Sequence, residues 1–222
     1  MVPAVVLAAG TSSRMGRPKA TLPFATGDTF LSRIVGTFLD ARIDDVVVVV
    51  GHEAEAVVSS LSRSGLAARF VFNPDFARGQ LSSVLAGLRA IDRPGVAGML
   101  LTLVDVPLVS AATVRAVLDQ YRRTHAPIVR PTNASRHGHP VLIDRSLFDA
   151  LRRADPATGA KPIIRAHATE AGDIEIGDEG AFVDVDTVEE YERVRACPRP
   201  SVPPTLADSN QPKARSNRSS RT

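Results

Sequence analysis

Apolar positions along this chain fall into two alternating patterns. Short continuous apolar runs cover Val5 to Ala9, Val46 to Val50, Phe70 to Phe72, Met99 to Val104 and Pro127 to Val129. Between them, TFLSRIVGTFLDA, AEAVVSSLSR, QLSSVLAGLRAI and AATVRAVLDQYRR carry apolar residues at helical spacing. The runs read as strands. The first, second and fourth are continuous enough to be buried on both faces, as in a parallel sheet covered by helices. Strand alternating with helix predicts an α/β fold with a mainly parallel sheet and helices on both faces. After Pro131 the pattern loosens: GHPVLI, DIEI and AFVDVD read as short strands, mixed with helices near Leu147 to Arg153, Pro162 to Ala168 and Val188 to Val194. This region is expected to complete the sheet and build a substrate lobe.

Composition narrows the class. At 222 residues, with 44% hydrophobic and 23% charged residues, the chain reads as one large soluble domain. No apolar run is long enough to span a bilayer, and the first is bounded by Pro3 and Gly10 without a basic flank, so neither a membrane partner nor a signal peptide is expected. The single cysteine, Cys197, cannot form an intramolecular disulfide, which fits a reducing, cytoplasmic location.

The pI of about 9.5 suggests nucleic acid until its source is located. Residues 198–222 hold five basic residues and one acidic residue, leaving 22 basic and 23 acidic before them, a net charge of −1. The body is therefore not basic, and nucleic acid is not an expected partner. The expectation is a domain over 1–197 followed by a disordered, basic, Pro/Ser-rich tail over 198–222.

The stretch VVLAAGTSSRMGRPKATLPF carries the first candidate chemistry. Its spacing fails a P-loop, because Gly10 is followed by five residues, Gly16, two more and then Lys19. It also fails the dinucleotide fingerprint, since Thr11-Ser12 supplies neither the second glycine nor a helix start. What remains is a longer loop whose small residues let backbone N–H groups approach an anion, with Arg14 and Lys19 supplying positive charge. One such contact at about 4 Å and an effective dielectric near 20 is worth roughly 4 kcal/mol before desolvation. The loop leaves the carboxyl end of the first strand, where ligands bind in open α/β sheets.

Acidic residues supply the second. GMLLTLVDVP ends in Asp105, at the same sheet edge if the strands are parallel, while Ser110 is available to cap the following helix. In FVDVDT an extended backbone would project Asp184 and Asp186 to one face, with Cα atoms roughly 6.5 to 7 Å apart. Near Asp105 these carboxylates would repel, and a divalent cation would relieve them; oxygen-only ligation suits Mg²⁺. The alternative for Asp186 or Thr187 is to cap the last helix.

Together, LAAGTSSRMGRPK, VVVGHEAE, NPDFARGQLSSVLAGL, LVDVPLVS, GHPVLI and FVDVDTVEEY resemble the MobA-like nucleotidyltransferases, and within them the molybdenum cofactor cytidylyltransferases. The resemblance runs from Val5 to about Arg195. It implies a Rossmann-like, three-layer αβα fold and transfer of CMP from CTP to the phosphate of molybdenum-molybdopterin, releasing pyrophosphate. The product, molybdopterin cytosine dinucleotide, would pass to a xanthine dehydrogenase-type molybdoenzyme or its chaperone.

Carried over by residue, the resemblance puts Leu7, Ala8, Ala9 and Gly10 near the nucleotide and Arg14 and Lys19 on its phosphates. Asn73, Gly79 and Ser82 fall around base and ribose, Asp105, Asp184 and Asp186 on Mg²⁺, and His139 on the acceptor side. Lys19, Arg14 and Asp105 are the expected catalytic residues. Ala9 stands where guanylyltransferases of the family carry a second glycine, which points to CTP. Three alternatives stay open: another phosphorylated acceptor such as a sugar phosphate or phospho-acid, a cofactor-handling accessory protein without turnover, and a nicotinamide-dependent oxidoreductase, which the failed glycine spacing disfavours.

Overall fold

The structure is a computed structural model that describes residues 1–12, 15–24, 27–134 and 136–195. Arg14 and the expected tail lie outside the described residues. Eight strands form one sheet: β1 (Ala4–Ala8), β2 (Val46–Val50), β3 (Arg69–Phe72), β4 (Gly98–Leu103), β5 (Ile128–Asn133), β6 (Arg136–His137), β7 (Val141–Asp144) and β8 (Asp173–Glu175). The spatial order is β3-β2-β1-β4-β7-β5-β6, with β8 alongside β5. β3, β2, β1 and β4 are parallel. β7 runs antiparallel between β4 and β5, so β5 regains the direction of β4.

The helices are α1 (Phe30–Asp40), α2 (Ala54–Ser62), α3 (Gln80–Ile91), α4 (Ala111–Thr124), α5 (Phe148–Arg152), α6 (Lys161–His167) and α7 (Val188–Arg195). Alternation along β1 and β2 explains the layering. Ala4, Val6, Val46 and Val48 face one core with Leu31 and Phe38 of α1, Leu61 of α2 and Val117 of α4. Val5, Leu7, Val47 and Val49 face the other with Val84 and Leu88 of α3 and Phe148 of α5. Both faces are dry, which is why the runs are continuously apolar. The result is the three-layer αβα, mainly parallel arrangement.

Helix starts are chemically specified. Thr29 and Ser32 form a reciprocal capping box on α1, and the Ser110 side chain accepts the Thr113 N–H to cap α4. The last helix is capped by Thr187, whose hydroxyl accepts the Glu190 N–H, while the Glu190 carboxylate accepts the N–H groups of Asp186 and Thr187. Ser110 and Thr187 thus take the capping contacts of α4 and α7. A third small core, built on Leu22, Phe24, Phe30, Val185, Tyr191 and Val194, fixes α7 against the chain that follows the opening loop.

One expected strand is absent. AFVDVD forms the end of a 3-10 turn, Glu179–Phe182, followed by extended chain without a strand partner. Asp178 draws this segment away from the sheet, accepting the N–H of Gly180 and, from α4, the Ser110 N–H and the Thr113 hydroxyl. Conversely, β6 pairs with β5 in a hairpin that the loosened pattern did not indicate. Among the described residues, no helix is long and apolar enough to cross a membrane.

Candidate active site

The sheet topology brings the opening loop and Asp105 together. β1 and β4 are parallel neighbours with Leu7 opposite Leu103, and the Val104 N–H continues the ladder to Leu7 O at 3.1 Å. Both chains therefore leave the sheet at the same edge. A cavity of 410 Å³ opens there. Its floor is Leu7 to Ser12 from the first strand and loop, and Leu103 to Asp105 from the fourth. Lys19 and Ala20 enter from one side, and Phe76, Gly79, Gln80 and Ser83 from the start of α3.

Lys19 is aimed by its backbone. Ser12 adopts a positive φ of 48°, and its hydroxyl accepts the Lys19 N–H at 3.0 Å where the 3-10 turn Lys19–Thr21 begins. A serine in this sparsely populated region marks a loop whose shape is imposed by its surroundings. The Lys19 Nζ then donates to Asp186 Oδ1 at 2.5 Å and to Asp105 Oδ2 at 3.4 Å. Asp186 reaches this point because the Val185 N–H donates to Asp105 O at 2.8 Å, laying the 183–186 segment across the end of β4.

The carboxylates are crowded. Burial, then the neighbouring Asp105 and Asp186 charges, push the Asp184 carboxyl above the usual carboxylate range, only partly offset by His139 and Lys19. Asp105 Oδ1 is buried without a hydrogen-bond partner. An orphaned buried carboxylate oxygen beside further carboxylates is a donor set that fits a hard divalent cation, and Asp105, Asp184 and Asp186 are the residues able to hold one. Among the described residues, however, no three acidic, histidine or cysteine side chains already converge as a ligand group. Asp105 and Asp186 instead converge on the Lys19 ammonium.

Other sequence-predicted positions separate. Gly79, at φ 103°, starts α3 at the cavity edge, in a conformation that favours glycine. Asn73 and Ser82 lie behind that wall. Asn73 is 1% exposed and donates to the hydroxyls of Ser82 and Ser83, while its carbonyl accepts the Asp75 N–H. Both line a neighbouring cleft, so their place is to brace the 73–83 turn rather than to face the cavity. His139 sits on the β7 side, its Nδ1 3.4 Å from Leu101 O, with burial lowering its pKa and Asp184 and Asp105 nearby opposing that shift. Phe76, Gln80 and Ser83 line the cavity and were not singled out from sequence, whereas Ser12 belongs to the small residues of the opening loop expected there. NPDFARGQLSSVLAGL held the signal for Phe76, Gln80 and Ser83, as an aromatic residue in the turn after an edge strand and polar residues in the first turn of the helix that follows.

A small-residue loop at the carboxyl edge of a parallel sheet, with an adjoining lysine and a carboxylate cluster, defines an α/β nucleotide-binding domain of the transferase kind. The chain belongs to the MobA-like NTP transferase domain family, which matches residues 4–171. That span includes Lys19 and Asp105, whereas Asp184 and Asp186 lie beyond it. Nicotine blue oxidoreductase of Paenarthrobacter nicotinovorans is 35% identical over 87% of this chain and 96% of its own. The probable molybdenum cofactor guanylyltransferase of Rhodopirellula baltica is 31% identical over 72% of this chain and 83% of its own. The crystal structure of Rv0371c from Mycobacterium tuberculosis H37Rv overlays with a TM-score of 0.71 at 29% identity, covering 87% and 97% of the two chains. Its complex with manganese overlays at 0.68 and 27% identity, over the same shares.

Proposed function

We propose that this protein is a cytidylyltransferase that transfers CMP from CTP to the phosphate of molybdenum-molybdopterin. The observation that carries the reading is the single cavity into which the Leu7–Ser12 loop, Lys19 and Asp105 all open. The loop presents backbone N–H groups to phosphates, and the small side chains of Ala8, Ala9 and Gly10 allow that close approach. Ala9 is buried at the cavity wall, at the position where the resemblance gives guanylyltransferases of the family a second glycine, and that difference supports the choice of CTP. The guanylyltransferase name of three relatives is the counterweight, so base choice is the first quantity to measure.

In the reaction, an acceptor phosphate oxygen attacks the α-phosphorus of the nucleotide in line. A new P–O bond forms, the α–β bridge P–O bond breaks, and its electron pair leaves with pyrophosphate. The acceptor is already anionic, so no protein base is required. The chain's task is positioning and charge neutralisation. Lys19 neutralises charge developing on the α-phosphoryl oxygens; the loop amides orient the phosphates; Gln80 and Ser83 offer polar groups to base and ribose. Mg²⁺ held by Asp105, with Asp184 and Asp186, supplies Lewis-acid charge to phosphate oxygens when bound.

The test is pyrophosphate release with each of the four NTPs, with and without molybdenum-loaded molybdopterin. Turnover confined to CTP with that acceptor supports the proposal; turnover with GTP, or with a sugar phosphate or phospho-acid instead, overturns its base or acceptor. A reductase reading is favoured by the name of the 35% identical relative. Against it, twenty residues separate the end of β1 from the Thr29 cap of α1, and among the described residues between them no α-helix starts directly after the loop to receive a dinucleotide pyrophosphate. NAD(P)H oxidation by the purified protein with a quinonoid dye would decide for it.

A further inference from the structure

The Lys19 ammonium lies between two carboxylates that the proposed reaction assigns to a metal. Its side chain is 12% exposed, against 22% for Asp105 and 50% for Asp186, so it is the most enclosed member of the cluster. We infer that Lys19 is a placeholder cation: in the nucleotide-free protein it fills the divalent-cation position between Asp105 and Asp186, and metal entry requires it to leave. This rests on the reading of the cavity as a nucleotidyl-transfer site.

Three features favour exchange over a permanent ion pair. The lysine stem is four flexible carbons with rotatable donors, while its backbone is pinned by the Ser12 hydroxyl, so the ammonium swings without rebuilding the loop. The Lys19 ammonium reaches Oδ2 of Asp105 and Oδ1 of Asp186, and Asp105 Oδ1 stays buried and unpartnered beside it. A divalent cation satisfies that oxygen and carries twice the charge. The same cavity holds the place where nucleotide phosphates would receive the displaced ammonium. Lysine therefore guards the carboxylates when no nucleotide is present and is released to the phosphates when a metal arrives. By linkage, phosphate binding and metal binding at this site strengthen each other by one common factor.

The experiment is a Mn²⁺ titration of the nucleotide-free full chain, followed by the electron paramagnetic resonance of free Mn²⁺. The variants are Lys19→Met, Lys19→Arg and Asp105→Asn, with Lys19→Gln replacing the methionine variant if circular dichroism shows that it does not fold. Removing the competing charge is expected to tighten Mn²⁺ about tenfold, well below the raw Coulomb ratio because Asp186 is half exposed. Lys19→Arg should stay within about threefold of wild type, and Asp105→Asn should abolish binding. A neutral variant that binds Mn²⁺ no tighter than wild type, with Asp105→Asn still abolishing binding, overturns the placeholder and leaves the nucleotidyl-transfer proposal standing. Binding unaffected by Asp105→Asn overturns the metal position itself, and with it both readings of these carboxylates.

Discussion

Gly51 makes the packing behind the cavity testable. It follows β2 directly and backs onto two cavity-lining residues. A Cβ at this position would stand 2.7 Å from Phe76 Cβ and 2.9 Å from both Phe76 Cγ and Ala9 Cβ. Ordinary carbon contacts lie near 3.5–4.0 Å, so Gly51→Ala creates overlaps of about 1 Å on two walls. These are near-backbone atoms, which cannot rotate away. Ala9 is further held by its carbonyl, which accepts the His52 N–H at 3.2 Å. Phe76, in a single 3-10 turn, is the less firmly held wall. Overpacking of this kind costs about 1–3 kcal/mol. If Phe76 stays, the cost is drawn from stability; if it moves, it is drawn from nucleotide binding, where the same range corresponds to roughly 5- to 150-fold. Urea unfolding and a calorimetric nucleotide titration on the same variant measure the two shares, and their sum should fall in that range. A variant within about 0.3 kcal/mol in stability and twofold in affinity would refute the packing argument.

Three further perturbations test other parts of the structure. Lys19→Ala should lower kcat by on the order of 10²-fold, the effect of losing one preorganised electrostatic group, and turnover within twofold of wild type would remove Lys19 from the reaction. Asp45 accepts from Arg93 at 2.7 Å and from Arg69 at 2.8 and 3.0 Å, and these bonds outweigh burial to hold its carboxyl below the usual value of 3.8. Its contribution is therefore full above the unfolded pKa and lost as pH falls through the folded one. Asp45→Asn should cost about 1–2 kcal/mol at pH 7 and less below about pH 4, and a pH-independent difference in urea midpoint would contradict this. Gly180→Ala would set a Cβ 2.3 Å from Leu108 O, a backbone atom, lifting the segment that carries Asp184 and Asp186. A stability loss of about 2–3 kcal/mol with weaker Mn²⁺ binding is expected, checked by thermal unfolding and the same titration.

The centre of the sheet was legible because β1, β2 and β4 are buried on both faces: a run such as Val46–Val50 has no reading as an amphipathic helix, and Thr29 and Ser110 mark helix starts locally. The resemblance supplied the family. The fate of Asp184 and Asp186 was less legible, because alternation in FVDVD describes any extended chain, paired or not. What removes it from the sheet is Asp178 gripping Ser110 and Thr113, a contact 65 to 68 residues apart in sequence. Asn73 and Ser82 are expected by motif at the nucleotide, and in the structure both Asn73 amide hydrogens are committed to Ser82 and Ser83 within the turn and helix that wall the cavity. Phe76, Gln80 and Ser83 were missed because only the fold of the turn and the start of α3 decides which of their side chains face the cavity.

The position of the terminal helix gives the small third core a role in the site. Lys19 and Asp186 are 167 residues apart, yet both ends of their pair are tied to this core: Leu22 and Phe24 follow Lys19 closely, and Val185 precedes Asp186. Tyr191 spans the two, its hydroxyl donating to Pro23 O at 2.8 Å and its ring packing on Phe30 at 5.8 Å. The distance between ammonium and carboxylate is thus set by a cluster remote from the main cores of the sheet. Tyr191→Phe keeps the ring and removes one hydrogen bond, a stability cost of about 1 kcal/mol. If that cluster sets the site, kcat/KM should fall severalfold along with that modest midpoint shift; the midpoint shift with unchanged kcat/KM would mean that the core supports only the fold.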